Sequence, residues 1–219
     1  MGTNNVAAVR TTLAIITELH ESDGSTPSEL AESLEFSAST IYRHLNTLYE
    51  SGFLIKEDNE YFVGFRFLNL GEYTRYRKRE YRMITDKIAE LANKTGLETD
   101  LSVFDHGRLI VVHQVHQNEN YWDRRSTGNY YYMHSTSAGK ALLSEFTERE
   151  VTDVITKWGL PAQTQNTITT PSELWAELDR TQERGYGVND EESMEGVRSV
   201  AVPVSAADGS VLGSISISG

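Results

Sequence analysis

Apolar residues at Val6, Val9, Leu13 and Ile16 recur at spacings of three and four. That pattern predicts an amphipathic helix over residues 6–21, closed by Asp23-Gly24, with these side chains as its apolar stripe. Thr26-Pro27-Ser28-Glu29 then reads as a helix start: Thr26 caps, Pro27 suits the first helical position, and Glu29 reaches back to the cap. A short helix to residue 34 follows. A turn at Glu35-Phe36 leads to Ser37, a second capping residue, and to a third helix through Ile41, Leu45 and Leu48 that stops at Ser51-Gly52. Beyond Gly52 the period drops to two. Residues 53–56 and 61–63 flank Asp58-Asn59, which predicts a hairpin. Residues 65–81 return to a helical pattern and hold the expected domain junction. Another helix over 81–95 ends at Gly96.

The second half reads as mixed α/β. Strands are expected over 101–104 and 109–115, joined at Asp105-His106-Gly107, with a more polar strand over 121–126. Helices are expected over 137–146 and 148–158, the second opened by the capping pair Thr147 and Glu150. A loop over 160–169 leads to Thr170-Pro171-Ser172-Glu173, which opens a helix ending at Gly185. Strands over 197–204 and 211–218 flank Asp208-Gly209. Thr-Pro-Ser-Glu-Leu occurs at residue 26 and again at residue 170. The surroundings differ, so shared helix-start chemistry explains both copies better than a repeat does.

Composition narrows the class. The 219 residues suffice for one large or two small domains, and cysteine is absent, which excludes disulfides, thiolate zinc sites and cysteine nucleophiles. No run approaches the roughly 20 apolar residues of a membrane span, and no secretory leader is visible, so a cytoplasmic protein without a membrane partner is expected. The net charge of -12 argues against nucleic acid at first sight. Binding needs only a locally basic face, however, and Arg75, Arg77, Lys78, Arg79 and Arg82 run close together. Six lysines beside fourteen arginines on an acidic chain suit a concentrated-salt cytoplasm, so a halophilic source is expected. A mildly acidic mesophilic protein is the alternative.

Three helices followed by a hairpin make a winged helix-turn-helix pattern. The third helix, residues 38–51, is expected to enter the major groove of duplex DNA with its N-terminal end leading. Ser37, Ser39 and Thr40 suit phosphates or base edges, Arg43 can fork onto a guanine or clamp a phosphate, and Tyr42 and Asn46 extend the surface. Thr26 and, on the wing, Lys56 complete the expected DNA-contacting set. The acidic tip at Glu57, Asp58 and Glu60 argues against a strong wing contact and suits the alternative use of such a module for protein contacts.

Other chemistry is set aside. Ala138-Gly139-Lys140 lacks the first glycine and the hydroxyl of a phosphate loop, because His134 and Ala141 stand there. His113 and His116, three apart on a strand, face opposite sides, so no metal is expected. No catalytic residue and no cofactor are expected. The adjacent Glu191 and Glu192 read as a solvated turn. An enzyme acting on a small metabolite, with an appended helix-turn-helix, remains the alternative from another class, although no nucleophile elbow or HExxH is present.

The chain resembles the IclR family of transcription regulators. The first half does so through Thr26-Pro27-Ser28-Glu29-Leu30-Ala31, Ser39 to Leu45, Leu48 to Gly52, Tyr61 to Phe67 and Leu70-Gly71. The second half does so through His134 to Leu143, Arg184 to Gly187, Asp190-Glu191-Glu192, Gly196, Val200 to Val204 and Ile215 to Gly219. The ordered set covers nearly the whole chain. The resemblance implies an α+β fold: a winged helix-turn-helix over 1–66, a linker helix over 67–80, and a GAF-like effector domain over 81–219 whose antiparallel sheet is flanked by helices. It implies dimers or tetramers on palindromic operators and a small-molecule effector, often a carboxylate. Family effector contacts map onto Ser137, Ala138, Asn189, Ser199, Ser216 and Ser218. Asn189 stands where members often have Asp, and losing that charge favours an anionic ligand. Ser216 and Ser218 share one face of a strand, and amides at the helix start near Ser137 suit an anion. Trp122, Tyr130, Tyr131 and Tyr132 are candidate apolar walls. Members usually continue past the final Ser-Gly with a helical tail, so a truncated chain is expected.

Overall fold

The structure is a computed structural model that describes residues 5–116 and 127–219. The chain divides into two compact units, Met1–Thr74 and Arg75–Gly219. The expected strand over 121–126 and Trp122 lie outside the described residues.

The first unit holds helices α1 (Ala7–Glu21), α2 (Pro27–Ser33) and α3 (Ala38–Glu50), the hairpin β1 (Leu54–Glu57) and β2 (Glu60–Val63), and most of α4 (Arg66–Tyr76). Caps place the helices where the sequence indicated. Thr26 and Glu29 form a reciprocal capping box on α2, and Ser37 Oγ accepts from the Thr40 amide at the start of α3. The hairpin turns at Asp58, in the left-handed region with φ 51°. Ile15, Leu19, Leu30, Ile41, Leu45, Leu48, Leu54 and Tyr61 form one apolar cluster.

The expected stripe of α1 is a correction. The helix buries Thr11, Ile15 and Leu19, while Val6, Val9 and Leu13 are exposed. Two stripes compete along Leu13-Ala14-Ile15-Ile16, and packing against α3 chose the other one. The bond between Thr12 Oγ1 and His44 Nδ1, at 2.8 Å, links the two helices. The single helical stretch expected over 65–81 is also corrected. Lys78 is extended and opens a new helix, α5 (Arg79–Thr95). Like charges four apart, Arg75 with Arg79 and Lys78 with Arg82, disfavour one continuous helix.

The second unit is built on a six-stranded antiparallel sheet of order β5-β4-β3-β8-β7-β6. Its strands are β3 (Glu98–Asp105), β4 (Arg108–Val115), β5 (Tyr130–Tyr131), β6 (Gly187–Asp190), β7 (Arg198–Ser205) and β8 (Val211–Ser218). Beside it lie α6 (Ser137–Leu143), α7 (Glu148–Trp158) and α8 (Pro171–Arg184). Alternation divides the sheet. Leu101, Val103 and Ile215 pack with Tyr81 and Ile88 of α5 on one face. Leu109 and Ala201 pack with residues of α6, α7 and α8 on the other. β3 begins three residues before the expected strand, and β5 and β6 are additional to the expected ones. Both are short edge strands, and Gly-Val-Asn-Asp shows no apolar alternation. Among the described residues no helix is long and apolar enough to cross a membrane.

Candidate functional site

The first unit presents its polar residues outwards. Ser39, Tyr42, Arg43 and Asn46 are exposed along one side of α3, opposite the buried Ile41, Leu45 and Leu48. Arg43 makes no ion pair among the described residues, so its guanidinium is available. Ser37 lies between Ser39 and Thr40, with Oγ–Oγ 3.1 Å and Oγ–Oγ1 2.9 Å, so the hydroxyl triplet is prearranged. Thr26 differs from the others. It is half-buried, and its hydroxyl is spent on Glu29, as both acceptor and donor. Lys56 is exposed on β1 and stands over the Tyr61 ring. Residues 1–74 carry four Lys+Arg against eleven Asp+Glu, a net charge of -7 for this unit. The basic residues noted near the junction fall after that boundary.

The second unit has a half-open cavity of about 680 Å³ on the helix-covered face of the sheet. Ser137, Ala138, Asn189, Ser199, Ser216 and Ser218 all line it, joined by Leu109, Val111 and Tyr131. Two close approaches bring the walls together. A Cβ on Gly139 would overlap the Met133 carbonyl, and one on Gly187 would overlap the Ser137 carbonyl, so only glycine lets α6 settle against its preceding loop and against β6. Of the expected aromatic walls, Tyr131 takes part. Tyr130 instead donates from its hydroxyl to Asp105, and Tyr132 lies under Arg108. The Asp105 bond and burial push the Tyr130 hydroxyl up to about 12.

Hydrogen bonds reveal two different jobs among the six. Ser137 Oγ and Ser199 Oγ are 2.7 Å apart and pin α6 to β7. Asn189 is saturated. Its Oδ1 accepts from the amides of Glu192 and Ser193, and its Nδ2 donates to Ser193 Oγ and Val197 O. It therefore shapes the 190–197 loop that closes one side of the cavity.

The sequence reading also missed two acids. Glu98 and Asp100 line the cavity from β3, with Asp100 buried. Burial, with the neighbouring Glu98 carboxylate, holds the Asp100 carboxyl well above the usual range. Glu98 accepts from Gln114 Nε2 at 2.9 Å and faces His116 Nδ1 at 3.1 Å. The cavity therefore contains acids beside the six expected residues, none of which is acidic. The available signal was Glu98-x-Asp100-x-Ser102 alternating with Thr99, Leu101 and Val103, a polar face on a strand whose apolar face is core.

Behind the cavity Lys140 is 1% exposed, and it donates to Glu192 with Glu177 at 4.0 Å. Burial pushes Glu192 above the ordinary glutamate range against the opposing pull of Lys140. Burial pushes Glu177 up too, but Arg184, Arg180 and Lys140 together hold it below that range. The solvated turn expected at Glu191-Glu192 is thus a correction. Glu192 is a buried ion partner, and Glu191 pairs with Arg198. Lys140 is occupied as a structural cation. Among the described residues no three His, Asp or Glu converge as a metal site.

Comparison with known proteins settles the class. Residues 81–219 match the profile of the bacterial transcriptional regulator IclR C-terminal domain, and residues 8–57 match a helix-turn-helix domain. The chain belongs to the IclR family. It is a transcription regulator with a DNA-binding helix-turn-helix unit and an effector-binding unit. A probable HTH-type transcriptional regulator ArcR of Halobacterium salinarum is 26% identical over 97% of this chain and 82% of its own length. The IclR structure from Thermotoga maritima superposes with a TM-score of 0.76 at 27% identity, covering 96% of this chain and 87% of that one. The PobR inducer-binding domain from Acinetobacter, solved as a double mutant with 3-hydroxybenzoic acid, is 27% identical with a TM-score of 0.57, covering 63% of this chain and 81% of that domain. These relatives of the IclR-family chain are named as regulators, and the enzyme alternative draws no support from them.

Proposed function

We propose that this IclR-family protein binds a palindromic operator in the cytoplasm as a homodimer or homotetramer, and that a small organic acid in the 680 Å³ cavity changes its operator affinity. In this reading residues 1–66 are the DNA-reading head, 67–80 the linker and 81–219 the effector domain. Ser39, Tyr42, Arg43 and Asn46 touch bases and phosphates, Ser37 and Thr40 support them, and Lys56 reaches the backbone. The exposed apolar side chains at Val6 and on α1 (Val9, Leu13) and α4 (Leu68, Tyr73) suit burial against a second copy. In the effector domain Ser137, Ala138, Ser199, Ser216 and Ser218 face the ligand, and Asn189 holds the wall.

The observation that carries this reading is that one half-open cavity is lined by all six expected effector residues together with apolar walls. The bound 3-hydroxybenzoic acid of the PobR domain fits that scale and chemistry. The ligand acts by favouring one arrangement of the DNA-reading heads, and its differential affinity sets the size of the shift. The test is a thermal-shift screen of small carboxylic acids on the full chain, followed by operator titration with and without each hit. A hit that loses binding on Ser199→Leu and shifts operator affinity by roughly 5–150-fold supports the reading. A hit indifferent to Ser199→Leu, or without effect on operator affinity, removes it.

A further inference from the structure

The pairing of β3 with β4 is interrupted at one point. Ser102 lies opposite Val111 and Leu101 opposite His113, so Val112 is an extra residue with no partner on β3. This is a β-bulge, which bends a strand and re-aims its backbone. The bulge separates two surroundings. Val111 lines the cavity, as does Asn129. The Gly128 amide donates to Val111 O at 2.8 Å, and the Val111 amide to Asn129 O at 3.4 Å, so this stretch of wall is bonded to itself. Val112 instead packs with the cluster of Tyr81 and Ile88 on the other face, and its carbonyl accepts from Arg75 Nε at 2.8 Å. Arg75 stands in the last turn of α4, the helix that begins in the first unit at Arg66 and ends in the second at Tyr76. A single residue step along β4, from Val111 to Val112, therefore leads from the cavity wall to the end of that helix.

We propose that Arg75 couples the cavity to the DNA-reading unit: an effector against Val111 shifts the bulge, and the Arg75 bond to the Val112 carbonyl carries the shift into α4. This rests on the reading of the cavity as the effector site. A bulged residue has no cross-strand partner to keep, so it shifts without breaking the ladder on either side of it. The bond from Arg75 is charge-assisted, which makes it strong for a single hydrogen bond and ties the helix end to the strand. Arg75 also differs from the rest of its basic run. It is half-buried, whereas Arg77, Lys78, Arg79 and Arg82 are exposed. Its guanidinium is turned to the sheet, where the others are left to solvent or to a partner.

The experiment measures the affinity of the full chain for a duplex it recovers from a random-sequence pool, with and without benzoate, 3-hydroxybenzoate, 4-hydroxybenzoate or lactate. At least one acid should change the affinity of the unaltered chain roughly fivefold or more. Arg75→Met keeps the apolar stem and removes the donor. It should reduce that ratio below about twofold while the acid still binds the free protein in calorimetry. Arg75→Gln sets an amide N–H as many bonds from Cα as Nε, without the charge, and should keep the larger part of the ratio. A ratio unchanged in Arg75→Met overturns the inference. Equal loss in Arg75→Met and Arg75→Gln assigns the effect to charge and overturns it as well. Duplex affinity lowered alike with and without the acid makes Arg75 a DNA contact, and loss of acid binding in Arg75→Met makes it part of the cavity's support. Either result overturns the coupling and leaves the cavity reading standing. If no acid changes the duplex affinity of the unaltered chain, both readings fall.

Discussion

The two units of this chain keep their chemistry in opposite places. In the first, the core is apolar, the two buried polar residues among those described are Thr11 and Ser25, and the residues proposed to meet DNA lie outside on α3. In the second, Lys140, Glu177, Glu192, Asn189, Asp100 and Ser216 are buried, and the proposed ligand contacts face inwards. A unit that reads a large partner needs an exposed face on a rigid core, and apolar packing alone supplies that. A unit that encloses a small molecule must bury polar atoms, and each then requires a partner. The second unit therefore adds to its apolar clusters hydrogen bonds and ion pairs whose loss costs more than loss of a surface contact.

That contrast can be broken at several points. The largest effect is expected from Lys140→Met, which strips a buried charge from Glu192 and should cost about 3–5 kcal/mol in urea unfolding. A cost under 1 kcal/mol, by contrast, would show that the network tolerates rearrangement and that the second unit is not held by its ions. In the first unit Leu45→Ala should cost about 2–5 kcal/mol, whereas Arg43→Ala on the same helix should leave stability within about 0.5 kcal/mol and weaken operator binding by about 1–3 kcal/mol. Destabilisation by Arg43→Ala would mean that the exposed face has a structural role. The two copies of Thr-Pro-Ser-Glu-Leu provide a smaller test. Thr26→Ala should cost about 1 kcal/mol because its capping box is complete. Thr170→Ala should cost less, because Thr170 accepts from the Glu173 amide while its own amide does not donate to the Glu173 carboxylate.

The smallest effect concerns pH. Asp100 has a folded-state pKa above its unfolded value, so folding takes up a proton, and its unfavourable contribution grows as pH rises from the unfolded carboxylate range toward the folded pKa. Asp100→Asn removes that dependence. Its thermal midpoint should rise relative to the unaltered chain, and by more at alkaline than at acidic pH. Every other ionisable group is common to the two proteins, so the difference between them reports Asp100. An equal shift at both ends of the range would mean that Asp100 is ionised in the folded state.

Legibility followed the same division. The caps at Thr26, Ser37 and Thr147, the stops at Gly96 and Gly185, and the buried triad Ile41, Leu45 and Leu48 were readable because each depends on residues within one or two turns. The stripe of α1 was misread because Leu13-Ala14-Ile15-Ile16 supports two faces, and only contact with α3 chooses between them. The six cavity residues came from resemblance, and the structure gathers them around one cavity. Glu98, Asp100 and the Lys140 network escaped notice because nothing local separates a buried acid from a solvated one.

The sequence by itself determined where helices and hairpins begin and end, which face of α3 is apolar, and the family to which the chain belongs. These depend on backbone capping, side-chain period and the order of short motifs, all of which act over neighbouring residues. Only the tertiary structure decided that Asn189 is saturated by its own loop, that Lys140 finds Glu192 across 52 positions of sequence, and that Asp100 is buried beside Glu98 in the cavity wall. Charge state and hydrogen-bond demand are set by burial and by partners distant along the chain, and neither exists until the sheet and its helices have closed around them.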